Sequence, residues 1–216
     1  MAKIFKATTA GSLPKPNWLA ETEKLWPAWK DSGDALTEKK KESAAMWIDE
    51  QEQSGLDIIS EGEQFRIHFV HGFLENIEGI NWDKKTSMGI RNDRYVVEVP
   101  TVTEALKKSE SIHAEEAIFL RSKTEKMTKF TLPGPMTISD TIANEFYGDK
   151  EEMAMEFAKL LNDEAKTLCD AGIDVIQFDE PAFNSFLNES IEWGMDAMEV
   201  AIDGLECKTA IHICYG

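Results

Sequence analysis

The sequence predicts an α/β protein built as a (β/α)8 TIM barrel, with about six of the eight strand–helix units present. Three observations carry the prediction. Short apolar, β-branched runs alternate with amphipathic stretches along the 216 residues, and such alternation means parallel strands covered by helices. The chemically distinctive residues Ser12, Glu63, Asp179, His212 and Cys214 all fall where a predicted strand ends, the rim on which barrel active sites are built. An open doubly wound sheet also binds ligands at its strand ends, but no G-x-G-x-x-G follows the first strand, so the barrel is preferred.

The first strand spans residues 4–9 and breaks at Gly11, Pro14 and Pro16, a sharp loop. Backbone amides near Gly11 and the Ser12 hydroxyl could grip a small carboxylate there; a purely structural turn is the alternative. After a Trp-rich connection (Trp18, Trp26, Trp29), Thr37 is expected to cap a helix to about Ser54, with Ala44, Trp47, Ile48 and Gln51 inward. The second strand, 56–60, ends in Glu61, Gly62, Glu63 and Arg66. Those charges could hold a charged substrate, or form a surface ion pair on a solvated loop. Residues 67–105 read as an excursion or hairpin, with 95–100 as the third strand. His68 and His71 read as ordinary, partly exposed histidines.

A helix over 111–122 is followed by a fourth strand at 129–132, closed by Pro133-Gly134-Pro135. Asp149 should cap a long helix to Asp170, whose Met153, Phe157, Leu161, Ala165 and Leu168 recur at helical spacing. Cys169 belongs to it as a small hydrophobe. The fifth strand, 174–178, runs into Asp179-Glu180-Pro181. A helix from Asn188 or Ser190 carries Trp193, Met195, Met198, Ala201, Ile202 and Leu205 along it, and the sixth strand spans about 208–214.

With 42% hydrophobic and 29% charged residues the chain has the profile of a globular protein. A formal net charge of −17 excludes general attraction to nucleic acid or anionic membrane, because phosphates would be repelled. No apolar stretch approaches a membrane span, and residues 1–6 hold no signal core. Three cysteines are too few and too oddly counted for a disulfide framework, which favours a reduced, cytoplasmic setting. On a strand, His212 and Cys214 face the same way. Imidazole and thiolate are preferred zinc ligands, though an ordinary buried strand pair has the same pattern.

Taken together, Thr8-Thr9-Ala10-Gly11-Ser12-Leu13-Pro14, Gly62-Glu63 with Arg66, Gly134-Pro135-Met136-Thr137, Ile176-Gln177-Phe178-Asp179-Glu180-Pro181-Ala182 and His212-Ile213-Cys214-Tyr215 resemble the catalytic barrel of cobalamin-independent methionine synthases, especially the short single-barrel relatives. Uroporphyrinogen decarboxylases share that barrel but need no zinc, and His212 with Cys214 argues against them. The resemblance spans 1–216 as one incomplete barrel domain. It implies zinc-dependent methyl transfer to a thiol, homocysteine in the namesake enzyme. His212 and Cys214 match the first two zinc ligands, Glu63 and Asp179 match the carboxylates that hold the substrate ammonium, and the Gly11–Ser12 segment matches the loop that receives its carboxylate.

Two departures qualify these expectations. Six strands are fewer than a closed barrel needs, and the family's remaining ligands, a glutamate and a second cysteine, would follow Gly216. The chain is therefore expected to be a truncated product or a half completed by another chain or copy, inactive alone. Cys207 precedes its strand and should lie at the opposite end from the zinc rim. The synthases also carry a tryptophan after G-P-x-T, where Ile138-Ser139-Asp140-Thr141 stands here. The methyl donor is left open between methylfolate and a methylated corrinoid. Alkyl transfer to another thiol, such as coenzyme M, and a non-catalytic barrel subunit are the other readings.

Overall fold

The computed structural model describes residues 5–23 and 28–214; Ile4, Trp26, Tyr215 and Gly216 of the sequence reading lie outside them. In chain order the main strands are β1 (Ile58–Ile59), β2 (Glu78–Ile90), β3 (Tyr95–Lys107), β4 (Met127–Pro133), β5 (Val175–Asp179) and β6 (Lys208–His212). The main helices are α1 (Gly33–Gln53), α2 (Ala114–Lys123), α3 (Pro135–Ser139), α4 (Lys150–Asp170) and α5 (Met195–Ile202).

Strands β1, β4, β5 and β6 lie side by side in that order, all parallel. This is an α/β partial barrel. β4 and β5 are buried along almost their whole length, as expected of parallel strands covered on both faces. Phe130, Leu132, Ile176 and Phe178 meet Phe157, Leu161 and Leu168 of α4 in one core.

The predicted first strand forms no ladder. Instead the Ala7 carbonyl accepts from Asp57 N at 2.9 Å and Ile58 N at 3.2 Å, and Ala7 N donates to the Asp57 carboxylate at 2.8 Å. A side chain thus replaces one backbone partner, and the segment runs along the edge of β1. The predicted third strand is the larger difference. Residues 95–100 belong to β3, which pairs antiparallel with β2. Arg91, Asn92 and Asp93 all have φ near +57°, and this left-handed turn folds the chain back on itself. The place beside β1 in the sheet goes to β4.

Helix α1 starts four residues before Thr37, with Ser32 as its N-cap, and buries Ser43, Ala44, Ile48 and Gln51. Trp47 faces outward to the loop, where its indole N–H donates to Pro14 O at 2.9 Å. Asp149 caps α4 as the spacing predicts, accepting from Glu152 N at 2.8 Å. A π-helical turn over Ser190–Gly194 precedes α5. The extra residue in that turn rotates the helix face, so Met195 is half exposed while Trp193, Ala197, Met198 and Ala201 point inward.

The structure also corrects the reading of the cysteines. Cys169 is joined to Cys207 in a disulfide, Cα to Cα 5.7 Å. The disulfide holds the start of β6 against the end of α4, and Lys208 N bonds to Asp174 O at 3.0 Å just before β5. Cys207 does lie at the end of the sheet opposite His212. No described helix is long and apolar enough to cross a membrane.

Candidate active site

Strand ends converge on one cavity of about 400 Å³, lined by Gly11, Ser12, Glu63, Asp179, His212 and Cys214 together with Phe69, Pro181 and the hairpin-tip residues Arg91, Arg94 and Tyr95. All six residues singled out from the sequence therefore share it.

Parallel register explains part of the convergence. Asp179 is the last residue of β5 and stands opposite His212, the last of β6. Gly134 N bonds to Asp179 O at 2.7 Å, and Glu180 N to His212 O at 2.9 Å, so three successive strand ends are tied in a row. Cys214 follows two residues on, its Sγ 3.0 Å from His212 Nε2. Burial and then the Asp179 charge push the Cys214 thiol above its usual range.

Glu63 reaches the cavity by an unusual backbone. Gly62 and Glu63 both lie in the left-handed region, at φ 69° and 57°, a conformation glycine tolerates and glutamate rarely adopts. The loop is held there by Leu13 N to Gly62 O at 3.0 Å, the Gln64 amide to Gly62 O at 2.8 Å and to Leu13 O at 2.9 Å, and Lys15 Nζ to Glu63 O at 3.2 Å. The Leu13 amide is thereby taken, leaving Gly11 and the exposed Ser12 on the cavity side of the loop. A Cβ on Gly62 would sit 3.1 Å from Leu13. Gly62→Ala is expected to destabilise by about 1–2 kcal/mol through the left-handed strain, read as a lower urea midpoint.

Arg66 takes neither role raised by the sequence. It is buried, donates to Glu61 at 2.5 Å and to Thr131 O at 2.7 Å, and stacks 4.7 Å over Phe130. Burial opposes its charge, but Glu61, Glu63 and Glu116 outweigh that and raise its pKa. Glu61 and Arg66 are thus an internal brace, and Glu63 alone of the two carboxylates faces the cavity. Burial raises the pKa of Glu63 and of Asp179, opposed most by Arg66 for Glu63 and by the Gln177 hydrogen bond for Asp179.

Glu180 turns away from the cavity. It accepts from Met136 N at 3.0 Å and from Thr137 N at 2.6 Å and Oγ1 at 2.5 Å, filling the open amides at the start of α3. Burial pushes it up to about 7.

A second cavity of about 350 Å³ adjoins the first and shares Phe69, Arg91 and Tyr95 with it. Its walls are His68, His71, Val97, Val99, Pro100 and Thr141, among others. His68 and His71 are half-buried, and burial lowers both pKa values, that of His68 to about 3. The sequence reading missed the hairpin-tip arginines, which no periodicity marks, and Lys129 and Gln177 below the cavity. Gln177 stands two residues before Asp179 on one strand, a same-face signal that was available.

A family model for the cobalamin-independent synthase catalytic domain matches residues 5–216. The chain belongs to that family. It is 34% identical over 214 residues to a methionine synthase of Sulfolobus acidocaldarius and 33% over 215 to that of Sulfurisphaera tokodaii, each alignment covering 99% of this chain and 62% of the relative. The solved B12-independent methionine synthase from Shewanella sp. W3-18-1, in complex with selenomethionine, superposes with a TM-score of 0.92 at 50% identity, over 96% of this chain and 61% of that one. A putative vitamin-B12-independent methionine synthase from Listeria monocytogenes shares the fold, with a TM-score of 0.69 at 20% identity. The chain thus spans about three-fifths of the length of these cobalamin-independent synthase relatives.

The family implies zinc. An imidazole nitrogen and a thiol 3.0 Å apart on one cavity wall are a donor pair that suits zinc. Among the described residues no group of three or more His, Cys, Asp or Glu could hold a metal ion. The pair fits as half of a tetrahedral set.

Proposed function

We propose that residues 1–216 form one incomplete catalytic barrel domain that prepares an amino-acid thiol for methylation, with homocysteine as acceptor and methionine as product. The observation that carries this reading is the meeting of Ser12, Glu63, Asp179, His212 and Cys214, from the ends of three strands and the loop beside them, around one cavity. The selenomethionine held by the Shewanella relative, an analogue of the product, supports it.

In this reading Glu63 and Asp179 receive the substrate ammonium, and the Gly11–Ser12 loop receives its carboxylate. Anchored at both groups, homocysteine extends its thiol toward His212 and Cys214. Those two residues would hold zinc, with further ligands from outside the described residues. Zinc bound there would supply the positive charge that turns a thiol of pKa ~8.5 into a thiolate. The carboxylate pair favours an amino-acid thiol over coenzyme M, which carries no ammonium.

The methyl donor enters through the adjoining cavity, past Phe69 and Tyr95. Its volume of about 350 Å³ suits a fused bicyclic ring such as that of methylfolate rather than a corrinoid, which would have to dock at the mouth.

The reading is tested by titrating L-homocysteine, with and without zinc, into protein that includes the remaining zinc ligands, beside His212→Ala. Binding that depends on zinc and falls ~10-fold or more in His212→Ala is expected. Equal binding by folded wild type and variant, whatever the zinc level, would overturn the assignment.

A further inference from the structure

Beneath the candidate site lies a lysine that the chemistry above does not use. Lys129 sits on β4 and is 2% exposed. Its ammonium donates to Gln177 Oε1 at 2.7 Å and to the Thr9 carbonyl. The Gln177 amide then donates from Nε2 to Asp179 Oδ1 at 2.7 Å and to Ala10 O at 2.7 Å. Neither direct partner of Lys129 is charged, and an apolar side chain would cost less to bury at this position.

The chemistry of the donors fixes this arrangement. A lysine ammonium can only donate, so it must face the amide oxygen. The amide NH2 is thereby turned toward two atoms that can only accept, the Asp179 carboxylate and the Ala10 carbonyl. Without the ammonium the amide keeps its two acceptors but loses the donor that anchors its oxygen, so the side chain that links Asp179 to Ala10 is no longer held at its other end. One cation therefore fixes both halves of the pocket, the carboxylate on β5 and the loop that leads into Gly11 and Ser12.

We infer that Lys129 is a positioning residue of the amino-acid site, which holds Asp179 and the Gly11–Ser12 loop in mutual register through the Gln177 amide. The inference rests on the amino-acid reading above. Burial lowers the pKa of Lys129 while the charges of Asp179, Glu61 and Glu63 oppose that, so the cation is held by the carboxylates around the pocket as well as by its two direct acceptors.

The test compares wild type, Lys129→Met, Gln177→Leu and the double variant by calorimetric titration of L-homocysteine into zinc-supplemented protein, with circular dichroism to report folding. Each single variant should bind about 10- to 100-fold more weakly, as losses of supporting contacts do. The double variant should be no weaker than the worse single one, because both act through one amide. Gln177→Glu is the second probe: it preserves the contact to Lys129 but turns an acceptor toward Asp179 and Ala10 O, and should lose binding while folded. Lys129→Met that binds like wild type, or losses that multiply in the double variant, would overturn the inference.

Wild-type protein that binds no homocysteine would instead sink the amino-acid reading. The positional claim is then decided without ligand, from the side-chain amide resonances of Gln177 and the backbone amides of Gly11 and Ser12. Lys129→Met should move all three in the nuclear magnetic resonance spectrum; unmoved resonances would refute it.

Discussion

Asp179→Asn is expected to weaken L-homocysteine binding by about 30- to 5,000-fold, the range for removing one partner of a desolvated charge pair. The substitution is close to isosteric, and an asparagine oxygen can still accept from Gln177, so the missing negative charge is the main change. Asp179 is 7% exposed and stands in register with His212, where water screens an ammonium poorly. A thiol without an amino group should bind both proteins alike, and a calorimetric titration of the two ligands separates the effects. A loss equal for both ligands would mean that the variant has damaged the pocket rather than removed an ammonium partner. The pH dependence runs in a stated direction. Burial raises the Glu63 pKa above 4.5, and only the ionised carboxylate attracts the ammonium, so affinity should already be falling at a pH above 4.5 as solutions are made more acid.

Glu164→Ala is expected to cost about 3–5 kcal/mol of folding stability, the usual result of breaking a buried ion pair. For a chain of this size that is a fall in Tm of about 6–20 °C, measurable by calorimetry. Glu164 is fully buried on α4 and accepts from Lys108 Nζ at 2.8 Å, Ser111 Oγ at 2.9 Å, Ile112 N at 3.0 Å and His113 N at 2.7 Å. It therefore ties the start of α2 to the middle of α4. Burial opposes its ionisation, but Lys108 and the two backbone donors outweigh that, and its pKa is lowered below 4.5. A carboxylate with a depressed folded pKa contributes stability above its unfolded value, and that contribution is lost as pH falls through the folded one. Glu164→Gln should therefore be less stable than wild type near neutrality, with the difference shrinking below pH 4.5.

The sequence made the rim legible because rim residues follow a simple rule. Asp179, His212 and Cys214 end or follow regular apolar strands, and strand parity alone puts His212 and Cys214 on one side. The helices were legible wherever a cap or an apolar stripe was strong, as for Asp149 and the face of α4. What escaped has physical causes. Residues 95–100 alternate as any strand does, and only three successive left-handed residues before them send the chain back along β2. The disulfide depends on where the end of α4 meets the start of β6, and no local pattern encodes that. Arg66 looked like a surface charge because its partners, Glu61 and the Thr131 carbonyl, become its neighbours only in the folded chain.

The order of pairing in the sheet bears on how the molecule comes to exist. The β2–β3 hairpin pairs residues that are close along the chain, with Ile90 opposite Tyr95. Each parallel contact joins distant ones, Ile58 with Met127 and Lys129 with Val175. Loop closure on that scale is slow, and local hairpins form in microseconds. The hairpin tip that carries Arg91 and Arg94 is thus present early in folding, while the cavity beneath it closes only when the most distant strands have met. Binding competence should be the last property a refolding chain recovers, well after its secondary structure.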